Sequence, residues 1–429
     1  MDGSFTPENT AENTVSGERR HDDRRPTSGE AAIRIEELFF SRTDTDGVIQ
    51  SVNEAFQRVS NHPWEDIIGA PHNLVRHPDM PSGLFWLFWK MISENKPFGA
   101  YIKNRSADGL SFWVYSVVIP CPDGYLSVWL KPSTDMLEKT QNLYVELLRA
   151  EAEQEIDPEA SCKELEGKLC DLGFANYQSF MAATLSAELS ARASQLHVSA
   201  DTTLEQFKDL SCSISEIEAI TMKLSDTFSE IRGVPTNMRI LASRLEAAGG
   251  PISVISANYS TMSDEIGAWA EQFLTDSNSA FGRIREALDT GLFLQGISLL
   301  QDEVCDFYRR ERRRSAQDNT QAEADLKILS SQANACRKRA SDGLDHVTAG
   351  SKRFATAVGE MKRLVTGLSS TRMMCKIEGA RLRHGRDSLT EVIRQLDSFQ
   401  DRVEEQLSKI TDINRTIQAG TEALRQSFQ

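Results

Sequence analysis

Proline is absent from the last 178 residues of this chain (429 − 251), because Pro251 is the final one of thirteen. That stretch can hold long unbroken helices, since no ring interrupts the backbone ladder. Long apolar runs are missing as well. The longest apolar cluster, Leu84 to Ile92, contains Lys90 and falls far short of the roughly 20 residues that span a bilayer. No membrane span is expected. The N-terminus has no apolar core, so no signal peptide is expected, and the cytoplasm is the expected compartment. No two of the seven cysteines are spaced as C-x-x-C, and their number is odd, which excludes a cysteine zinc site and argues against a disulfide framework. A net charge of −15 argues against general nucleic-acid binding and against an anionic membrane surface. There is no P-loop, no G-x-S-x-G, no H-E-x-x-H and no recognisable histidine-kinase ATP lid, so no enzyme is expected.

Three regions remain. Residues 1–30 are polar and almost free of large apolar side chains, the composition of a disordered tail. Residues 31–135 hold five of the six Trp and most of the prolines, as a compact mixed domain would. Residues 136–429 read as helical and coiled-coil.

Alternation and turn residues order the middle region. Phe39 to Thr43, the turn Asp44-Thr45-Asp46-Gly47, and Val48 to Val52 read as a hairpin. Asn53 is placed to cap a short helix that runs to Ser60. An apolar helix covers Leu84 to Glu94, and strands cover Pro97 to Asn104, Ser111 to Val118 and Tyr125 to Leu130. Between the first helix and the apolar one lies Pro71-His72-Asn73-Leu74-Val75-Arg76-His77-Pro78-Asp79-Met80-Pro81. Its prolines stiffen the loop and exclude a regular helix. Arg76 offers a planar fork for phosphate or ring carbonyls. Such a loop suits an anionic or heteroaromatic ligand. The bland alternative pairs Arg76 with Asp79 and leaves His77 as a loop cap.

This loop closely resembles the pocket signature of the PAS domain in aerotaxis receptors, the Aer family. The resemblance spans about residues 40–148. It takes in Gly47, the block Val52 to Phe56, Ile68-Gly69, Phe85, Trp89, Lys103-Asn104-Arg105, Asp108-Gly109 and Trp113-Val114. It implies the α+β PAS fold, a five-stranded antiparallel sheet with helices, followed by a long all-α coiled-coil or helical-bundle region. It implies FAD, with haem b held through His77 or an empty pocket as the alternatives. It implies cofactor contacts at Asn53, Arg76, His77, Asp79, Phe85, Trp89, Phe98 and Asn104. Phe98 stands where the family commonly has Trp, which keeps an aromatic face without the indole N–H.

The helical half carries seams. Leu185, Leu189, Ala193, Leu196, Ala200, Leu204, Phe207, Leu210, Ile214 and Ile217 follow 3- and 4-residue steps, continued by Leu224, Phe228 and Ile231. Ile255 to Phe273 and Val392 to Ile417 do the same. Gly233-Val234-Pro235 and Gly249-Gly250-Pro251 read as breaks. The segment Pro235 to Ala248 resembles the signalling hairpin of methyl-accepting chemotaxis proteins, and Thr371 to Glu378 is a weaker echo, a candidate second copy of the unit. That resemblance implies a chemotaxis histidine kinase and its coupling protein as partners. The seams imply a homodimer, or else a bundle closed within one chain. The run Arg309-Arg310-Glu311-Arg312-Arg313-Arg314 reads as a solvated helix face balanced by nearby acids, with an acidic partner or nucleic acid as the alternative. The expected function is a PAS-based sensor of redox state or oxygen that signals through its helical region.

Overall fold

The computed structural model describes residues 29–231, 233–243, 249–274, 280–314, 320–381 and 386–428. The expected tail, residues 1–30, lies almost wholly outside them. The chain packs as two compact units. One holds the described residues up to Leu204 together with Leu292–Ala340, and the other holds Glu205–Gly291 with Ser341–Gln429.

The first unit is built on one antiparallel sheet in the order β2-β1-β5-β4-β3. β1 (Leu38–Thr43) and β2 (Ile49–Val52) form the expected hairpin. Asp44 closes its turn, its Oδ1 accepting from the N–H groups of Asp46 and Val48, and Gly47 supplies a φ of 77°. Asn53 caps α1 (Glu54–Ser60) as expected, accepting from Phe56 N. Then come α2 (Trp64–Ile67), one 3-10 turn at His72–Val75, α3 (Ser82–Ser93), β3 (Phe98–Arg105), β4 (Ser111–Cys121) and β5 (Gly124–Leu130). This is the PAS fold.

Register assigns the faces. Asn104 pairs with Phe112, Ile102 with Val114 and Phe98 with Val118, so these side chains share one side. Phe39 and Trp129 continue that inner face, and Phe56, Val59, Ile67 and Val75 cover it from α1, α2 and the 3-10 turn. Each such buried side chain contributes about 1.5–3 kcal/mol. The outer face is covered by helices that follow the sheet. Trp113 stacks on Tyr144 of α4 (Met136–Gln154) at 6.4 Å. The Tyr115 hydroxyl donates to Met181 O of α6 (Tyr177–Gln195) at 3.2 Å. Phe40 meets Tyr308 of α10 (Ala280–Arg314) at 5.6 Å. At Gly99 a Cβ would lie 2.9 Å from both Phe293 Cζ and the Tyr115 hydroxyl, so α10 comes close to β3 there. Helix α5 (Pro158–Asp171) packs on α3. The sheet-bearing unit thus extends past residue 135.

The seam from Leu185 to Ile231 is two helices, not one. Helix α6 ends at Gln195, His197 takes a φ of 56°, and α7 (Thr202–Ile231) starts behind Asp201, whose Oδ1 accepts from Thr203 N and Leu204 N. Leu196 and Ala200 belong to the connection. Apolar spacing runs through such a break because it does not register a cap.

The second unit holds most of α7, then α8 (Gly233–Ser243), α9 (Gly249–Leu274), the start of α10, the rest of α11 (Thr320–Arg381) and α12 (Arg386–Ser427). The last two run 62 and 42 residues without a proline. Pro235 and Pro251 stand in first turns, where a missing N–H costs little. Most of the described seam residues are buried within the chain. Phe228 of α7 meets Phe399 of α12 at 4.9 Å, and Tyr259 of α9 donates to Leu368 O of α11 at 3.4 Å. The apolar stripe that pointed to a second copy is covered by the chain's own helices.

Candidate ligand-binding site

Helix α3 buries Leu84, Leu87 and Ile92 and carries Phe85, Phe88 and the exposed Trp89 beside them. Phe88 meets Phe98 edge-on at 5.3 Å, and Trp89 meets Tyr125 at 6.4 Å. The signature loop runs along the free edge of β3. Arg76 forms an isolated antiparallel bridge with Asn104, and His77 N donates to Lys103 O at 3.3 Å. Directly opposed residues share a side and successive ones alternate. Arg76 therefore joins Asn104 on the inner side, while His77 turns to the other side with Lys103.

The Arg76 guanidinium carbon lies 3.4 Å from the Phe85 ring centre, a cation–π contact worth about 0.5–2 kcal/mol. Arg76 keeps much of its surface accessible, yet protein crowds it enough that burial lowers its pKa. His72 has the same character: it is partly accessible, and burial pushes its pKa down to about 4. Its Nε2 lies 2.9 Å from Ser41 Oγ, and its ring stands edge-on to Trp129 at 5.6 Å.

Asn104 Nδ2 is buried and makes no hydrogen bond. An unpaired buried donor costs about 1–3 kcal/mol, which an acceptor on a ligand would relieve. Aromatic faces, a guanidinium and an amide donor together fit a flat heteroaromatic with ring carbonyls, such as a flavin.

The other candidates are held differently. Asn53 spends its amide within the fold. Its Oδ1 accepts from Phe40 N and Phe56 N, and its Nδ2 donates to Leu38 O and to Glu311. His77 accepts from Asp79 N at Nδ1, which leaves the proton on a buried, unpaired Nε2. Burial first, then Lys103, lower its pKa against the pull of Asp79. Asp79 is exposed and accepts from Lys103 Nζ at 3.2 Å. Phe98 is buried and stacks on Tyr177 at 5.4 Å. Arg76, Phe85 and Asn104 thus gather on the α3 side, Phe98 shares that face of β3, and Trp89 is exposed beside Tyr125 at the other end of it. Asn53, His77 and Asp79 stand apart. Among the described residues no cluster of side chains could hold a metal ion.

Two carboxylates escaped the sequence reading. Glu188 of α6 is fully buried and accepts from the Tyr101 hydroxyl at 2.8 Å, Ser133 N at 2.7 Å and the Thr134 hydroxyl at 2.6 Å. The only early signal was tyrosine at outer-face strand positions, whose buried hydroxyls need partners. Glu311 of α10 accepts from Asn53 Nδ2 and Ala55 N, both at 3.0 Å, at the start of α1. Within the basic run it is the one acid, and it is half-buried rather than solvated.

Burial, with smaller help from Glu54 and Glu37, raises the Glu311 pKa from 4.5 to about 7 against the hydrogen bonds from Asn53 and Ala55. Between those values the folded chain keeps a proton that the unfolded chain has lost. Stability must therefore fall as pH rises across that window. Glu311→Gln cannot titrate. Urea denaturation from about pH 4.5 to 8 should give the variant the flatter curve, and parallel curves would refute this reading.

No protein-family profile matches the chain. The aerotaxis receptor of Escherichia coli is 31% identical over 109 residues, which is 24% of this chain and 22% of that protein. The bacterioopsin transcriptional activator of Halobacterium salinarum is 24% identical over 128 residues, 29% of this chain and 18% of that protein. The chain thus matches about a fifth of the length of these curated relatives. Among solved structures, a LOV domain from a blue-light-activated histidine kinase of Erythrobacter litoralis matches at 20% identity, covering 21% of this chain and 90% of its own, with a TM-score of 0.20. The light-state LOV domain of Aureochrome1 matches at 19% identity, covering 25% of this chain and 91% of its own, with a TM-score of 0.22. No described helix is long and apolar enough to cross a membrane. The sheet-bearing part of this chain has the PAS fold, and its sequence is similar to the aerotaxis receptor's.

Proposed function

We propose that this chain is a sensor whose PAS fold holds FAD on the α3 side of β3, reads redox state or oxygen supply, and signals through its helical part to a chemotaxis histidine kinase with its coupling protein. The unpaired Asn104 amide, set on one side with Arg76 over Phe85, carries the reading. A bound flavin would supply a ring that takes up and returns electrons. The chain's own part is to hold that ring and to feel a change in it. Asn104 would donate to a ring acceptor, Arg76 would face ring or phosphate oxygen, and Phe85 and Trp89 would give it aromatic contact.

A switch needs contacts that differ between two states. Strand β3 carries Asn104 on one face and Tyr101 on the other. Tyr101 donates to Glu188, which also holds Ser133 and Thr134 at the entry to α4. A displacement of β3 therefore acts on the helix that leaves the sheet. Haem through His77 is disfavoured, because that ring is set on the Lys103 side. The second reading, a cofactor-free scaffold, draws on the packing of Phe56 and His72 against Trp129, at 5.0 and 5.6 Å, on the β1–β5 side of the inner face.

The absorption spectrum of the purified chain, before and after dithionite, separates them. Flavin bands that bleach on reduction are expected in the wild type. Asn104→Ala should then bind flavin about tenfold more weakly, the effect of losing roughly 1.4 kcal/mol. A chain that stays colourless after reconstitution removes the flavin reading and favours the scaffold.

A further inference from the structure

Heptad seams can be slid into register at many offsets, so they do not by themselves identify a repeat. Here several separate marks select one offset, 137 residues, the distance from Phe207 to Leu344. Along the seams Ile217 maps onto Phe354, Phe228 onto Val365 and Tyr259 onto Leu396, and all are buried. In the sequence, Ile240-x-x-x-Arg244-Leu245 maps onto Ile377-x-x-x-Arg381-Leu382. Ile240 and Ile377 are also both exposed, at 47% and 48%, which a core-facing seam does not explain.

Packing supplies the last mark. Phe228 of α7 meets Phe399 of α12. Exchanging the two copies by the same offset turns this pair into Val365 of α11 and Met262 of α9. The observed contact between α9 and α11 joins Tyr259 to Leu368, three residues along each helix in the antiparallel sense. The two helix pairs therefore share one register. Each copy presents to the other the surface that the other presents to it, which is the property of a twofold interface.

We propose that the second unit is a duplicated helical hairpin folded against itself. The first copy runs through α7, α8 and α9 into α10, and the second through α11 and α12. Each copy is the binding partner of the other, so the bundle closes within one chain.

The test uses the full, unmutated chain. Two forms with different affinity tags are co-expressed and treated with a short amine-reactive cross-linker. Lys223 and Lys409 are both exposed and lie close in sequence to the contact of Thr227 with Gln406 at 3.4 Å. The expected result is a Lys223–Lys409 link in a product with the mass of one chain, 47.9 kDa, carrying one tag. A Lys223–Lys409 link confined to products that carry both tags overturns the proposal. So does its absence from every product.

Discussion

Replacing Glu188 by alanine will destabilise the sheet-bearing unit by about 3–5 kcal/mol. The carboxylate is fully buried and accepts from Tyr101, Ser133 and Thr134. Removing it strands several donors at about 1–3 kcal/mol each, and water entering the gap returns part of that. Glu188→Gln keeps an acceptor oxygen and should recover most of the loss. Tyr101→Phe removes one donor and should cost about 1 kcal/mol. Urea denaturation of the three variants gives the ranking. Protease cutting at the start of α4 should also quicken in the alanine variant, because Ser133 and Thr134 lose their anchor. A loss below about 1 kcal/mol for Glu188→Ala would show that the clamp holds nothing.

The second large effect reverses an ordinary rule. Glycine to alanine inside a helix usually stabilises by roughly 0.4–1 kcal/mol. At Gly83 a Cβ would lie 2.5 Å from Cys162 N and 2.6 Å from Ser161 C. These are backbone atoms of α5, which cannot turn aside. Gly83→Ala must push α3 away from α5 and should cost about 1–3 kcal/mol. Because Phe85, Phe88 and Trp89 ride on α3, ligand binding should weaken with it. Gly167, in α5 with no neighbour near a Cβ, is the control and should tolerate alanine with a small gain. Thermal melts and the fluorescence of Trp86 and Trp89 would record both. Equal melting of the two variants would mean that the close approach of α3 and α5 carries no weight.

Much of the sheet was legible because local chemistry dictates it. The Asp44–Gly47 turn, the Asn53 cap and the period-2 strands each depend on residues a few positions apart. The placing of Arg76 with Phe85 and Asn104 followed from family likeness and from the stiff loop. The side that His77 takes did not, because it rests on where Arg76 pairs along the edge of β3. Nor was the fate of Asn53 readable, since its partner Glu311 lies 258 residues away. The break at His197 was hidden by an unbroken apolar spacing, although Asp201 before Thr202 was a cap in plain view. Glu188 was invisible for the same reason as Glu311: nothing local marks a surface-type residue that another element will bury.

The covered outer face of the sheet has a kinetic consequence. A sheet that signals by pairing with another molecule responds according to how much of that molecule is present. Here α4, α6 and α10 belong to the same chain as the strands they cover, so their encounter is unimolecular. Release and re-docking of those helices would be first-order events. The rate and extent of that step would then stay the same whether a cell holds a few copies of the protein or thousands, and dilution would leave them unchanged.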